Sequence, residues 1–276
     1  MAKRTLGRKK VIDAMVAEFE RIDRSLAFWE AGAASFDRVD EWSDMDLYLV
    51  VDDDAVEDAF RSLDGVIEGL GGASTSFRLP EPTWHGHSQA FYQLRRASPY
   101  LYVDIVIMKR SAKDKFLQFA IHERPRVHFD KVGIVRDDPI DVDAFVERVE
   151  KRVRLLKATF GLFQTDTLKE INRGNYVEAF MYYVGGTYRP LLEALRMKYT
   201  PLHFNFGGRY AHYELPPEVV KRLKGFLYVK DMRELRRRHS EAGRWFSETI
   251  DSIDFNEMRE LVRASVKSPA KGARSK

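Results

Sequence analysis

The chain contains no cysteine in 276 residues. That excludes disulfides, thiolate metal sites and a cysteine nucleophile. Long apolar runs are also missing, since none approaches the ~20 residues a helix needs to cross a bilayer. The basic start, Met1 to Lys10, has no apolar stretch behind it, so it does not read as a signal peptide. A cytoplasmic protein without a membrane partner is the simplest expectation. The seven histidines include no i, i+4 pair, which argues against a helical zinc site.

Acidic residues are absent from both ends. Residues 1–10 carry five basic side chains and residues 265–276 carry four, with no acid in either stretch. The net charge of +4 is therefore a property of the ends, and the remaining body carries −5. Such arms can touch nucleic acid. Their composition reads first as solvated tail, and 265–276 as a disordered basic tail. What the chain does have is a globular apolar content of 44%.

Periodicity divides the body in two. Val11, Met15, Phe19 and Ile22 predict an amphipathic helix from residue 8 to about 25. Strands are expected at 25–29, 46–51, 74–79, 90–94 and 100–108, with edge strands near 127–129 and 133–135. A helix over about 55–70 falls between the second and third of them, with Asp52, Asp53 and Asp54 as its N-cap. After the Asp137-Asp138-Pro139 turn the pattern becomes helical. Helices are expected at 142–163, at 176–199 with a kink or split at Pro190, and near 216–226, 231–250 and 255–266. The fold class is α+β: an α/β domain over 1–138, then a helical domain over 139–264.

The chemistry concentrates on three acids. On a strand, residues i and i+2 face the same way, so Asp44 and Asp46 project together, with Cα atoms about 6–7 Å apart. Like charges that close repel unless a cation lies between them. Magnesium takes a few carboxylates, keeps some waters and completes its shell with substrate phosphates. Asp104 interrupts the apolar run Tyr100 to Met108. Burying it unpaired would cost several kcal/mol. A shared metal ion or a basic partner would offset that cost. The small-residue turn Gly32-Ala33-Ala34-Ser35 allows close backbone approach, and its N–H groups are candidates for phosphate oxygens.

Gly32 followed by small residues, Ser43-Asp44-x-Asp46-Leu47, and a later lone Asp104 on an apolar strand together resemble the nucleotidyltransferase superfamily related to DNA polymerase beta. With the helical second half, the chain is most similar to the aminoglycoside and lincosamide antibiotic nucleotidyltransferases. The resemblance implies a mixed sheet flanked by helices, followed by a helical bundle. It implies a transferase of the EC 2.7.7 class that moves a nucleoside monophosphate from ATP or another nucleoside triphosphate to a hydroxyl of a small acceptor. Asp44 and Asp46 would hold two magnesium ions, and Asp104 the ion nearer the attacking hydroxyl. Gly32, Ala33, Ser35, Ser43 and Arg189 are the nucleotide-binding candidates. Glu178, inside an apolar helix, is the candidate general base.

Three positions depart from the family pattern. Ala33 replaces the usual serine or glycine of the turn, and Phe36 and Asp37 replace the arginine and glycine that often follow. Ser35 and Ser43 are the hydroxyls left to compensate. Two other readings stay open: the same chemistry on a protein or RNA acceptor, and a relative that binds nucleotide without turnover. His85-Gly86-His87 reads as polar turn chemistry, and Tyr182, Tyr183 and Tyr188 as core.

Overall fold

Six short runs rich in Val, Ile, Leu, Phe and Tyr pair into one mixed sheet. They are β1 (Ser25–Glu30), β2 (Met45–Val51), β3 (Ala73–Arg78), β4 (Ser88–Leu94), β5 (Tyr102–Lys109) and β6 (Arg126–Asp130), in the order β3-β4-β5-β2-β1-β6. The computed structural model describes residues 6–267. These fall into two compact units, one ending at Pro139 and the other beginning at Ile140.

In the first unit, α1 (Arg8–Glu20) and α2 (Val56–Gly69) cover one face of the sheet. Val11, Met15 and Phe19 of α1 and Phe60, Leu63 and Ile67 of α2 meet Leu47, Leu49, Val103, Ile105 and Ile107 of the central strands. The alternate residues of the same strands face the other way. There Trp29, Val50, Val106 and Met108 pack with Leu117 and with Phe119 of the single-turn helix α3 (Phe119–His122). Among the described residues, β2 and β5 form the one parallel pair. Their register sets Asp46 directly opposite Asp104.

The second unit is helical. It contains α4 (Val142–Arg173), α5 (Tyr176–Tyr183), α6 (Arg189–Tyr199), the single turn α7 (Ala211–Glu214), α8 (Pro217–Leu227), α9 (Met232–Asp251) and α10 (Phe255–Lys267). Its core joins Val149, Val153, Leu156 and Phe160 to Leu191, Leu195, Ala242, Phe246 and Val262. Phe160 stacks on Phe246 with ring centroids 3.7 Å apart. No helix among the described residues is long and apolar enough to cross a membrane.

Several elements differ from the sequence-based expectation, each for a local reason. Helix α1 stops at Glu20 because Ser25 already belongs to β1. The acid run 52–54 does not cap α2. Its N-cap is Ala55, while Asp54 pairs with Arg24 and Asp53 accepts from the Ser111 N–H at 2.9 Å. Residues 133–135 form no strand, because the Asp130 carboxylate gathers the N–H groups of Val132, Ile134 and Val135 into a loop. Helix α4 runs ten residues past 163 and ends at Gly174, whose left-handed φ of 80° closes the turn. The stretch 176–199 is interrupted before Pro190, by a π-type turn over Val184–Tyr188, and Pro190 opens α6 where its missing N–H costs nothing. At the C-terminus, residues 265–267 belong to α10, and the rest of the expected tail lies outside the described residues.

Candidate active site

The acid site is built on the ends of β2 and β5, on the sheet face opposite α1 and α2. Asp46 and Asp104 are register partners, so their side chains leave the same face of neighbouring strands. Asp44 lies two residues before Asp46, where the chain enters β2. All three acids are half-buried. The apolar half of that face, from Tyr48 and Val106 onward, is closed by its own cluster, with Trp29 stacked on Tyr48 at 5.7 Å.

No basic side chain pairs with Asp104 among the described residues. A neutral amide serves it instead: Gln89 Nε2 donates to Asp104 Oδ1 at 2.6 Å. Burial pushes its carboxyl up to about 6. The Gln89 hydrogen bond opposes that rise, and the nearby Asp44 charge adds to it. Gln89 is itself held from behind, since its Oε1 lies 2.9 Å from His85 Nε2. His85 Nδ1 accepts the His87 backbone N–H at 3.1 Å. An accepting Nδ1 leaves the proton on Nε2, so the neutral tautomer that donates to Gln89 is selected. The amide orientation follows, with its NH2 group toward Asp104.

Tyr102 lies two residues before Asp104 and shares its face. The Tyr102 hydroxyl donates to the Asp44 carboxylate, and this bond, followed by burial and the charges of Asp44, Asp104 and Asp46, raises the phenol above its usual range. One hydroxyl therefore feels all three acids.

The backbone around Asp44 is anchored from the other side of the sheet. Arg8 of α1 forms an ion pair with Glu30, whose side chain is fully buried. Burial alone would raise the Glu30 carboxyl, but the His128 ring nitrogen 3.7 Å away and the hydrogen bonds from Arg8 outweigh it and hold it below its usual range. The same guanidinium donates to the carbonyl of Asp44 at 2.6 Å and reaches that of Ser43 at 3.5 Å.

Gly32 opens a single 3-10 turn, Gly32–Ala34, with a left-handed φ of 53°. Its Cα is packed against an acid: a Cβ built there would lie 1.7 Å from Asp46 Oδ2 and 2.5 Å from Asp46 Cγ. Glycine is thus required twice, by backbone conformation and by the carboxylate beside it. Neither neighbouring hydroxyl stands open to solvent and free of a partner. Ser43 Oγ donates to Asp40 Oδ1 at 2.8 Å within its own turn. Ser35 Oγ is buried without a hydrogen-bond partner. Ala33 adds no polar atom.

Glu178 and Arg189 belong to the helical unit. Glu178 is exposed in the first turn of α5, and Arg189 is exposed at the start of α6. Glu170 bonds to Asn175 and Arg173 at the end of α4, a closing arrangement for that helix.

The structure thus gathers Asp44, Asp46, Asp104 and Gly32 on one edge and adds Tyr102, Gln89, His85 and Arg8. Only Tyr102 had a signal in the sequence, through its i, i+2 spacing to Asp104. Among the described residues, no three His, Asp or Glu side chains stand close enough together to hold a metal ion as they are. The donor chemistry nevertheless fits magnesium: hard carboxylate oxygens on adjacent strands, one of them half-buried with a neutral amide as its hydrogen-bond partner.

An α+β chain with an acid pair on its one parallel ladder is the class this fold and site define. No family model matches the chain, and no curated protein matches it. Two solved structures are similar over most of its length. One is an aminoglycoside 6-adenyltransferase from Bacillus subtilis, 12% identical over 96% of this chain and 99% of that one, with a TM-score of 0.35. The other is a nucleotidyltransferase-like protein from Exiguobacterium sibiricum 255-15, 11% identical over 89% of this chain and 75% of that one, with a TM-score of 0.37. A likeness this loose assigns no activity, so function rests on the residues themselves.

Proposed function

We propose that this protein is a magnesium-dependent nucleotidyltransferase, moving a nucleoside monophosphate from ATP or another triphosphate to a hydroxyl of a small acceptor. One observation carries the reading: Asp46 and Asp104 face each other across the parallel β2–β5 pair, with Asp44 one strand repeat away. The resemblance of the Gly32, Asp44, Asp46 and Asp104 pattern supports it. Asp44, Asp46 and Asp104 are the residues that would hold the ions. Bound there, magnesium would neutralise phosphate oxygens and activate the attacking hydroxyl. Side-chain rotation and substrate phosphates would complete the shell, as is usual for this cation.

In the proposed reaction the acceptor oxygen attacks the α-phosphorus, the bond to the β-phosphate oxygen breaks, and pyrophosphate leaves with the electron pair. The hydroxyl proton goes to a nearby base. Asp104 is committed to the ion in this reading, and Glu178 is the candidate base. Gln89 fixes the Asp104 carboxylate, Tyr102 steadies Asp44, and Gly32 lets the backbone approach Asp46.

A second reading has its own observation. Ala33 has no hydroxyl, Ser43 spends its own on Asp40, and the Ser35 hydroxyl is buried. A turn without a hydroxyl for phosphate favours a protein that binds nucleotide without turnover. Pyrophosphate release from ATP with magnesium, across a panel of small hydroxylated acceptors, separates the two readings. Release that vanishes in Asp46→Asn supports transfer. Tight ATP binding with no release for any acceptor supports the second reading, and failure to bind any triphosphate with magnesium overturns both.

A further inference from the structure

An aromatic pair lies at the mouth of the acid site and has no structural task there. Trp42 is 59% exposed and Tyr100 is 49% exposed. Their rings meet edge to face, with centroids 4.8 Å apart. The pair lies in the turns that lead into the two strands holding the acids. Trp42 precedes Asp44 by two residues, and Tyr100 precedes Tyr102 by two. Along the chain the contacts follow in step: Trp42 beside Tyr100, then Asp44 hydrogen-bonded to Tyr102, then Asp46 opposite Asp104.

The presentation of Trp42 is built rather than loose. Its own N–H donates to Asp40 Oδ1 at 3.0 Å, and the Ser43 hydroxyl donates to the same oxygen at 2.8 Å. The Asp40 N–H donates back to Ser43 Oγ at 3.0 Å. On the far side, Arg8 holds the carbonyls of Ser43 and Asp44. The turn is thus tied at both ends while the indole is left in water. The contrast with Trp29 and Trp245, both buried, is sharp. Trp84 is 89% exposed, but its ring contact is with His85 rather than with a second exposed aromatic.

We infer that Trp42, supported edge-on by Tyr100, is the stacking platform for the planar base of the nucleotide whose phosphates the acid edge receives. The inference rests on the proposed nucleotide reading. Trp42 is two residues from Asp44, so at most about 6–7 Å of chain separates the indole from the carboxylates, the scale of a ribose between base and phosphates. Stacking on an indole is tolerant of base identity, so the platform adds affinity without choosing strongly among the nucleoside triphosphates. An acceptor ring has the same planar chemistry, and the probes below distinguish it from the base.

The test is calorimetric titration of the full chain, with magnesium present, using ATP and, as a base-free probe, inorganic tripolyphosphate. Wild type should bind ATP more tightly than tripolyphosphate. Trp42→Ala should weaken ATP binding about tenfold or more while leaving tripolyphosphate binding unchanged, in line with the loss of one base–aromatic stack. Trp42→Phe should recover part of the loss, and Trp84→Ala should change neither titration. Equal ATP affinity in wild type and Trp42→Ala overturns the inference, including the case in which the ring serves the acceptor. So does an equal loss for both probes, which would mean that Trp42 acts by shaping the Asp44 turn. If wild type binds tripolyphosphate as tightly as ATP, the platform fails and the acid site stands. If it binds neither, the nucleotide reading itself falls.

Discussion

Replacing Gly32 by alanine separates the integrity of the fold from the integrity of the acid site. The new Cβ would lie 1.7 Å from Asp46 Oδ2, 2.5 Å from Cγ and 3.0 Å from the Asp46 Cβ, where ordinary contact begins near 3.4 Å. The carboxyl group must therefore retreat by roughly its shortfall of 1.7 Å, and rotation of the outer oxygen alone is not enough because Cγ is also too close. The left-handed φ adds about 1–2 kcal/mol of backbone strain for a residue with a Cβ. Gly32→Ala should thus lower stability by that modest amount, read by urea unfolding. A displacement of about 1 Å at a reacting centre is enough for a roughly 100-fold rate loss. Magnesium-dependent pyrophosphate release should fall at least that far in a protein that remains folded. The double substitution supplies the internal control. In an Asp46→Ala background, Gly32→Ala should cost strain and little further activity, because the group it displaces is gone. Wild-type activity in Gly32→Ala, or fully additive losses in the double variant, would refute the argument.

Three further expectations follow from the buried charges. The Asp104 carboxyl loses its proton near 4 when unfolded but near 6 when folded, because it is buried. The folded state therefore holds the extra proton across that window, and stability falls as pH rises through it. Asp104→Asn should remove the penalty and raise stability at pH 7–8 by about 1–3 kcal/mol in chemical denaturation, while abolishing transfer. Gln89→Leu removes the hydrogen bond that opposes the rise, so without magnesium the pH window in which stability falls should extend to higher pH in denaturant unfolding. Arg8→Ala removes the main partner of the buried Glu30 and leaves it His128 alone at 3.7 Å, a loss of at most about 3–5 kcal/mol by the usual cost of breaking a buried pair, measured by denaturant unfolding.

The alternation of Val103, Ile105 and Ile107 against Tyr102, Asp104 and Val106 was legible because one face of β5 meets α1 and α2 while the other meets its own smaller cluster. The acid pair at 44 and 46 was legible because strand spacing is a local property. The parts that escaped depend on register and on long-range approach. Nothing in the sequence places Gln89 diagonal to Asp104 until β4 and β5 pair, or His85 behind Gln89 until the β3–β4 loop folds back. Arg8 reads as one more charge in a basic stretch, and its role exists only because α1 crosses behind Glu30. Asp52 to Asp54 misled for the opposite reason: the composition suits a cap, but Arg24 and the Ser111 N–H compete for the same carboxylates.

The parallel pairing of β2 and β5 also orders events in time. Antiparallel neighbours can close as hairpins, whereas a parallel pair must wait for the intervening chain to be laid down. Here α2, β3 and β4 all lie between the two strands in sequence. Asp46 and Asp104 are therefore kept apart until that long loop closes, and their mutual repulsion enters the folding chain only after most of the sheet's apolar contacts exist to oppose it. Because this ladder is the centre of the sheet, opening it divides the sheet and its core and removes the acid edge in the same event, so the site should be lost together with the fold of the first unit.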